Sequence, residues 1–225
     1  MRKSTLVRAG APLVAAVSTF CMASTFAFAA PNLLIDPGFE AQTTSPTNDG
    51  VAGWTLFNGA AFSTDVARTG THSMKDFGNG SVPGSFETFP ASPGQQFELT
   101  GFGLTPTVLA GNPGFGILQV AYFDSAGNNL GTVETGAGNA KASAQINGGS
   151  TINTWLPLDT GIATAPAGTV KIQAFTLVVD FNSPAAGESV YFDDLNLTAV
   201  PEPASLGIVA VAGVGLLARS RRRSR

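Results

Sequence analysis

The stretch Val190-Tyr191-Phe192-Asp193-Asp194-Leu195-Asn196-Leu197-Thr198 decides the fold, because it predicts a long β-strand that closes the domain. Successive side chains of a strand point to opposite faces of its sheet. Strict alternation groups Tyr191, Asp193, Leu195 and Leu197 on one face and Phe192, Asp194 and Asn196 on the other. The first group is the more apolar, so we expect Asp193 to point inward beside Leu195.

The sequence on either side of this strand also predicts β-structure. Gly and Pro interrupt the chain at short intervals, and no segment before Ala204 shows a sustained helical period. Further strands are predicted at 97–102, 117–123 and 170–179, each next to a turn rich in Gly, Pro or Asn. Short strands at this spacing predict an all-β fold, a single β-sandwich over residues 30–199.

An inward-pointing Asp193 carboxylate would need a partner, because an unpaired buried charge costs several kcal/mol or takes up a proton. Between residues 31 and 200 there are 14 acidic residues and only four basic ones, Arg68, Lys75, Lys141 and Lys171, for a net charge of about −10. A metal ion is therefore one candidate neutraliser, with Glu40 as the second carboxylate if the two ends of the domain pair. Hydrogen bonds from backbone amides are the alternative.

Several short motifs follow one another in a recognisable order. They are Asn32-Leu33-Leu34-Ile35-Asp36-Pro37-Gly38-Phe39-Glu40, Gly53-Trp54, Ala67-Arg68-Thr69-Gly70-Thr71-His72-Ser73, Pro93-Gly94-Gln95-Gln96-Phe97, Val120-Ala121-Tyr122-Phe123-Asp124-Ser125-Ala126-Gly127, Trp155, Ala165-Pro166-Ala167-Gly168-Thr169 and Val190-Tyr191-Phe192-Asp193-Asp194-Leu195. In this order they resemble the galactose-binding-like jelly roll of many calcium-containing carbohydrate-binding modules. The resemblance covers nearly all of residues 31–198.

The resemblance implies a structural Ca²⁺ ion. In such modules the opening Gly-Phe-Glu, the Arg-x-Gly turn and the final Asp supply ligands, which maps the site to Gly38, Glu40, Gly70 and Asp193. Calcium takes six to eight oxygen ligands, and backbone carbonyls can complete such a set. The same fold also serves as a passive adhesion or spacer module, so the resemblance alone does not define the function.

Sugar binding needs exposed aromatic faces beside hydrogen-bonding groups. Trp54, Trp155 and Tyr122 fall at positions where we expect core residues. The candidates for ligand-binding aromatic residues are therefore Phe57, Phe62 and Phe77, which lie near Gly, Asn or Asp.

Catalysis is not expected from this sequence. His72 is the only histidine, so a serine triad or a histidine metal site has too few components. Asp193 and Asp194 are adjacent and would project to opposite faces, which excludes them as a paired-carboxylate glycosidase site. We therefore predict that the protein is not an enzyme.

The C-terminal sequence consists of Pro201-Glu202-Pro203, an uncharged apolar run at 204–218 and an arginine-rich end. These three parts resemble the PEP-CTERM sorting signal of Gram-negative bacteria that produce exopolysaccharide, in which an exosortase is thought to recognise Pro-Glu-Pro. The apolar run would form a transmembrane helix of roughly 22 Å, short of the ~30 Å hydrocarbon core. The arginines place the C-terminus on the cytoplasmic side. The sorting-signal residues are Pro201, Glu202, Pro203, Arg219, Arg221, Arg222 and Arg223, and the signal is predicted over residues 200–225.

The N-terminal sequence predicts export. Arg2, Lys3 and Arg8 precede an apolar stretch that ends in Ala27-Phe28-Ala29, which is typical of a helical signal peptide at residues 1–29. The only cysteine, Cys21, lies within it, so the exported body would contain no disulfide.

Two functions fit these observations. The first is a cell-surface or extracellular-matrix protein that passes the inner membrane during sorting by an exosortase and binds exopolysaccharide or another glycan. The second is a non-catalytic structural surface protein with no small ligand other than calcium. Nucleic acid is excluded as a partner by the acidic body.

Overall fold

A computed structural model describes residues 30–41, 53–78, 81–109, 114–131, 141–179 and 188–201. Within these ranges the fold is all-β and contains no α-helix, which confirms the predicted fold class. No helix in this part of the chain is long and apolar enough to cross a membrane. The signal helix predicted at 1–29 and the apolar helix predicted at 204–218 lie outside the described residues.

In the described residues, thirteen strands form two antiparallel sheets that pack face to face as a jelly-roll-like β-sandwich. They are β1 Thr55–Phe57, β2 Ala60–Ser63, β3 Ser73–Phe77, β4 Gly84–Pro90, β5 Gln96–Leu104, β6 Phe115–Phe123, β7 Asn129–Gly131, β8 Lys141–Ala142, β9 Ile146–Asn147, β10 Leu156–Asp159, β11 Ala163–Thr164, β12 Lys171–Val179 and β13 Ser189–Val200. The seven-stranded sheet has the order β1-β4-β12-β6-β7, with β8 and β9 also paired to β6. The six-stranded sheet has the order β10-β5-β13-β3-β2, with β11 also paired to β5.

The hydrophobic core lies between the two sheets. Strand alternation supplies it, as in β12, where Ile172, Ala174 and Val178 point inward. Trp54 and Tyr122 are buried in the core, as the sequence predicts. Trp155 is only half-buried, so the prediction that it is a core residue is wrong: it lies just before β10, a strand at the end of its sheet.

Strand β13 does not keep the strict alternation that its sequence suggests. Its core residues change from Val190 and Phe192 to Leu195 and Leu197, and its register with β5 shifts between Asp193 and Asn196. Asp194 has a left-handed backbone with φ 50°. Before this β-bulge Phe192 faces the core while Tyr191 and Asp193 face outward, and after it Leu195 and Leu197 face the core. The predicted grouping is therefore wrong, and so is the inward direction expected for Asp193, which is buried on the outer face of its sheet instead.

Candidate functional sites

The four residues predicted to hold calcium lie close together beside the bulge in β13. A Cβ atom built on Gly38 would lie 3.8 Å from Glu40 Cγ, 3.9 Å from Asp193 Oδ1 and 4.0 Å from Asp194 Oδ1. Gly70 has φ 63°, and a Cβ there would overlap the Glu40 carboxylate. We call this group, Gly38, Glu40, Gly70, Asp193 and Asp194, the acidic corner.

Asp193 is fully buried and acts as an acceptor for the loop before β3. The backbone N–H groups of Arg68 and Thr69 donate to its Oδ2 at 2.7 and 3.2 Å, and the Asp194 N–H donates to its Oδ1 at 2.7 Å. Burial raises the pKa of the Asp193 carboxyl to about 6, although these amide hydrogen bonds act in the opposite direction. The amide-bonded alternative from the sequence therefore describes these contacts.

Glu40 likewise accepts hydrogen bonds from backbone amides, here those of the turn at Thr71 and His72, but its side chain is exposed. Its Oε1 accepts hydrogen bonds from the backbone N–H groups of Thr71 and His72, each at 2.8 Å, and His72 Nδ1 lies 3.3 Å from Oε2. Partial desolvation raises the pKa of Glu40, but these hydrogen bonds outweigh it and lower the pKa to about 2. The carboxylate stays ionised at any physiological pH.

Asp194 belongs to the acidic corner and Arg68 adjoins it, but neither is among the calcium ligands predicted from sequence. The Arg68 guanidinium pairs with Asp194 and stacks 3.5 Å above the centre of the Phe102 ring. Within the described residues no group of three or more acidic or histidine side chains is spaced to hold a metal ion. A calcium ion here would need backbone carbonyls to supplement the carboxylates.

A second candidate site is the outer face of the seven-stranded sheet, where the strand registers align side chains in rows. The first row is Phe57, Gly84, Leu177 and Ile117, the second Thr55, Phe86, Phe175 and Gln119, the third Thr88, Gln173 and Ala121, and the fourth Pro90, Lys171 and Phe123. The face thus changes from aromatic and aliphatic in the first two rows to polar in the third and cationic in the fourth.

Three half-buried phenylalanines form a cluster in the first two rows. The ring centres of Phe86 and Phe175 lie 5.3 Å apart, and Phe57 lies 6.1 and 6.5 Å from them. Gly84 makes room for the cluster, because a Cβ there would lie 2.9 Å from Phe57 Cζ and 2.8 Å from Leu177 Cδ2. We call Phe57, Phe86 and Phe175 the aromatic cluster.

Hydrogen-bonding groups follow directly after the aromatic cluster. Gln173 Nε2 donates to the Thr88 hydroxyl at 3.0 Å in the third row, whereas Gln119, which pairs with Phe175 in the second row, is buried. The described strands of this sheet carry one carboxylate, Glu87, and it points to the inner face. Their outer face therefore carries no negative charge.

The structure separates the three phenylalanines that the sequence selected. Phe57 belongs to the aromatic cluster, Phe62 packs against the core beside Phe39, and Phe77 lies on the six-stranded sheet. Phe86 and Phe175 were missed. Alternation within β4 and β12 could have assigned each to an outer face, but their register across 89 positions of sequence could not be read from it.

Acidic groups also lie between the sheets. The Asp76 carboxylate is fully buried and neither of its oxygens has a hydrogen-bond partner. Burial raises its pKa to about 7, and the nearby Thr176 hydroxyl offsets this only in part. Burial also raises the pKa of Glu87 to about 7, although the Ile35 N–H donates to its carboxylate.

Solved structures are similar to this chain in fold. The enzymatically active domain of bacteriophage CBA120 tailspike protein 4 matches with a TM-score of 0.50 and 13% identity over 75% of this chain and 21% of that one. This chain thus spans about a fifth of the length of that tailspike chain. A family 16 carbohydrate-binding module has a TM-score of 0.49 and 15% identity over 74% of this chain and 99% of its own.

A third similar structure is the CBM22-1 xylan-binding domain of Xyn10C from Paenibacillus barcinonensis. Its TM-score is 0.48, with 15% identity over 78% of this chain and 99% of that one. No curated protein matches the chain. Residues 199–223 match the PEP-CTERM protein-sorting motif, so the chain carries a sorting signal that implies exosortase-dependent export and a membrane-anchored sorting segment.

Proposed function

We propose that this protein is a non-catalytic, exported cell-surface or extracellular-matrix protein that binds extracellular polysaccharide on the outer face of its seven-stranded sheet. Its sorting segment is anchored in the inner membrane with the C-terminus in the cytoplasm until an exosortase processes it. The sorting motif supports the location, and the arginines that follow the apolar run support the orientation.

The observation that carries the binding proposal is the aromatic cluster. Its three rings are within 6.5 Å of one another and partly exposed, and they adjoin the Gln173 and Thr88 side chains. Apolar ring faces next to amide and hydroxyl groups are the combination that a sugar ring requires, because its C–H surface is apolar and its edges carry hydroxyls. The described strands place no carboxylate on this outer face, so a polysaccharide bound there meets no negative side chain from these strands, although the body as a whole carries about −10.

Affinity electrophoresis through gels that contain the host's own exopolysaccharide tests this proposal. We expect the wild-type protein to be retarded and Phe175→Ala to lose roughly tenfold in affinity, about 1.4 kcal/mol. Phe77→Ala is the matched control, because it removes the same ring from the other sheet and should leave the retardation unchanged. Absence of retardation on every polysaccharide tested would leave the purely structural role.

We further propose that the acidic corner binds a structural Ca²⁺ ion. The side chains of Glu40, Asp193 and Asp194 lie close to Gly38, and the Arg68 guanidinium pairs with Asp194. Calcium would offset the burial that disfavours the charged form of Asp193, and Gly38 and Gly70 would contribute or shape backbone carbonyl ligands.

Thermal unfolding measures this directly. At a pH of about 8, where Asp193 is ionised, we expect calcium to raise the midpoint and EDTA to lower it. In Glu40→Gln the calcium-dependent shift should be smaller, whereas in Glu98→Gln, on the same sheet but outside the corner, it should persist. A wild-type midpoint that responds to neither calcium nor EDTA would exclude the ion.

A further inference from the structure

Both ends of the described chain lie at one end of the sandwich. The Leu33 N–H donates to the Leu197 carbonyl at 2.8 Å, and the Leu195 N–H donates to the Pro37 carbonyl at 2.8 Å. The opening segment therefore runs antiparallel to β13. Residue 30 lies toward the end of the sandwich at which β13 finishes at Val200.

Three turns of the body meet at this same end. Val200 and Thr164 both pair with Gln96, the first residue of β5. The Gly94 N–H donates to the Ala165 carbonyl at 2.8 Å, and the Ala91 N–H donates to the Val170 carbonyl at 3.0 Å. These bonds join the turn between β4 and β5 to the turn between β11 and β12. We call the turns 91–95, 124–128 and 165–170, together with 200–201, the terminal end.

The terminal end carries almost no charge. Its one ionisable side chain is Asp124, whose carboxylate accepts hydrogen bonds from the backbone of Ala126 and Asn128. Val170 is 46% exposed there, and the other turn residues are Ser, Thr, Pro, Gly, Ala, Gln and Asn. These turns can approach lipid head groups with one carboxylate, Asp124, while Lys171 borders them at the first position of β12.

The length of chain that leaves this end is short. Pro201 is the last described residue, and the apolar run of the membrane-anchored sorting segment begins at Ala204. Three residues span at most about 11 Å, even when fully extended. The opposite end of the sandwich is farther away by the length of β12, nine residues or roughly 30 Å.

We propose that the terminal end is the membrane-facing surface of the anchored protein and that the short link holds it against the lipid head groups. The sandwich then stands upright on the bilayer. The fourth row of the seven-stranded face, with Lys171, lies nearest the membrane and the aromatic cluster lies farther out. This places the proposed polysaccharide site on the side of the upright molecule, where a polymer parallel to the membrane can reach it.

Fluorescence quenching on the full-length chain tests this orientation. The body has no cysteine, so in a Cys21→Ser background a single labelled cysteine reports one position. Ala167→Cys marks the terminal end and Thr151→Cys marks the opposite end, and both positions are exposed. The chain is reconstituted in phosphatidylethanolamine–phosphatidylglycerol vesicles that contain head-group spin-labelled lipid. We expect several-fold stronger quenching at Ala167→Cys than at Thr151→Cys.

A spacer variant separates the effect of the short link from that of the anchor. A Gly-Ser insertion of about 20 residues between Val200 and Pro201 has a root-mean-square span of roughly 25 Å and should abolish the difference between the two labels. Equal quenching in the chain without the insertion, stronger quenching at Thr151→Cys, failure of that chain to float with the vesicles, or an undiminished difference in the spacer variant would each overturn the proposal.

Discussion

The outer faces of the two sheets differ in how their charged side chains are paired. On the six-stranded side, acids and bases are paired locally: Arg68 with Asp194, and Lys75 with Asp65 at 2.6 Å. On the seven-stranded side the described strands present no carboxylate, and Lys171 lies 5.5 Å from the Phe123 ring without an ion pair among the described residues. In a body with a net charge of about −10, the locally paired charges and the half-buried phenylalanine cluster therefore lie on opposite sides of the sandwich.

The largest effect is expected at Asp76, an unpartnered acid on the inner face of the six-stranded sheet. Its pKa is raised from 3.8 to about 7, so the folded state binds the proton more tightly than the unfolded state. Its contribution to stability is present below a pH of about 4 and is lost as the pH rises through about 7, on the order of 4 kcal/mol. Asp76→Asn should flatten this slope and be more stable than wild type at a pH of about 8.

Urea unfolding at a series of pH values measures the slope. Glu87 and Asp193, whose pKa values are also raised by burial, add to the wild-type slope with the same sign and should leave a residual slope in Asp76→Asn. Glu98→Gln on the outer face is the control and should keep the full wild-type slope. If Asp76→Asn kept it as well, Asp76 would not be the source.

The next largest effect is expected at Asp193. Asp193→Ala leaves the Arg68 and Thr69 N–H groups without their acceptor, and we expect it to lower the free energy of unfolding by about 2–4 kcal/mol near neutral pH. Glu98→Ala, which removes a carboxylate from the same sheet outside this corner, should change it by less than about 0.5 kcal/mol. Equal losses in the two variants, measured by urea unfolding, would contradict a special role for the acidic corner.

The smallest effect compares one lysine from each outer face. Lys75 pairs with Asp65 and lies 5.4 Å from the Tyr191 ring, so Lys75→Met should lower the free energy of unfolding by up to about 1 kcal/mol at low salt. Lys171→Met should change it less, because Lys171 has the ring contact alone. Chemical denaturation of both variants in low and high salt tests this, and a greater salt-dependent loss for Lys171→Met would reverse the comparison.

Prediction from sequence succeeded where a pattern is local. The alternating residues and turns of the body predict the all-β sandwich, and Pro201-Glu202-Pro203 with the following segment predicts the sorting motif. The proximity of Gly38, Glu40, Gly70 and Asp193 followed from the resemblance to calcium-containing modules and agrees with the structure, whereas calcium binding itself stays a prediction.

Prediction failed where the outcome depends on distant partners. The bulge at Asp193 and Asp194 reflects pairing of β13 with β5, nearly 100 residues earlier in the chain, and it puts Asp193 and Leu195 on opposite faces. Trp155 was expected in the core but remains half-buried beside β10, which is at the end of its sheet. Neither feature has a signature within a short window of sequence.

The sequence by itself determined that the body is β-structured, acidic and free of cysteine, and that a sorting signal follows it, because these properties depend on composition and on neighbouring residues. Only the tertiary structure decided that Phe57, Phe86 and Phe175 meet on one outer face and that Asp76 lies in the core without a partner. The physical reason is register: a shift of one residue turns every side chain of a strand to the other face, and long-range packing of both sheets fixes that register.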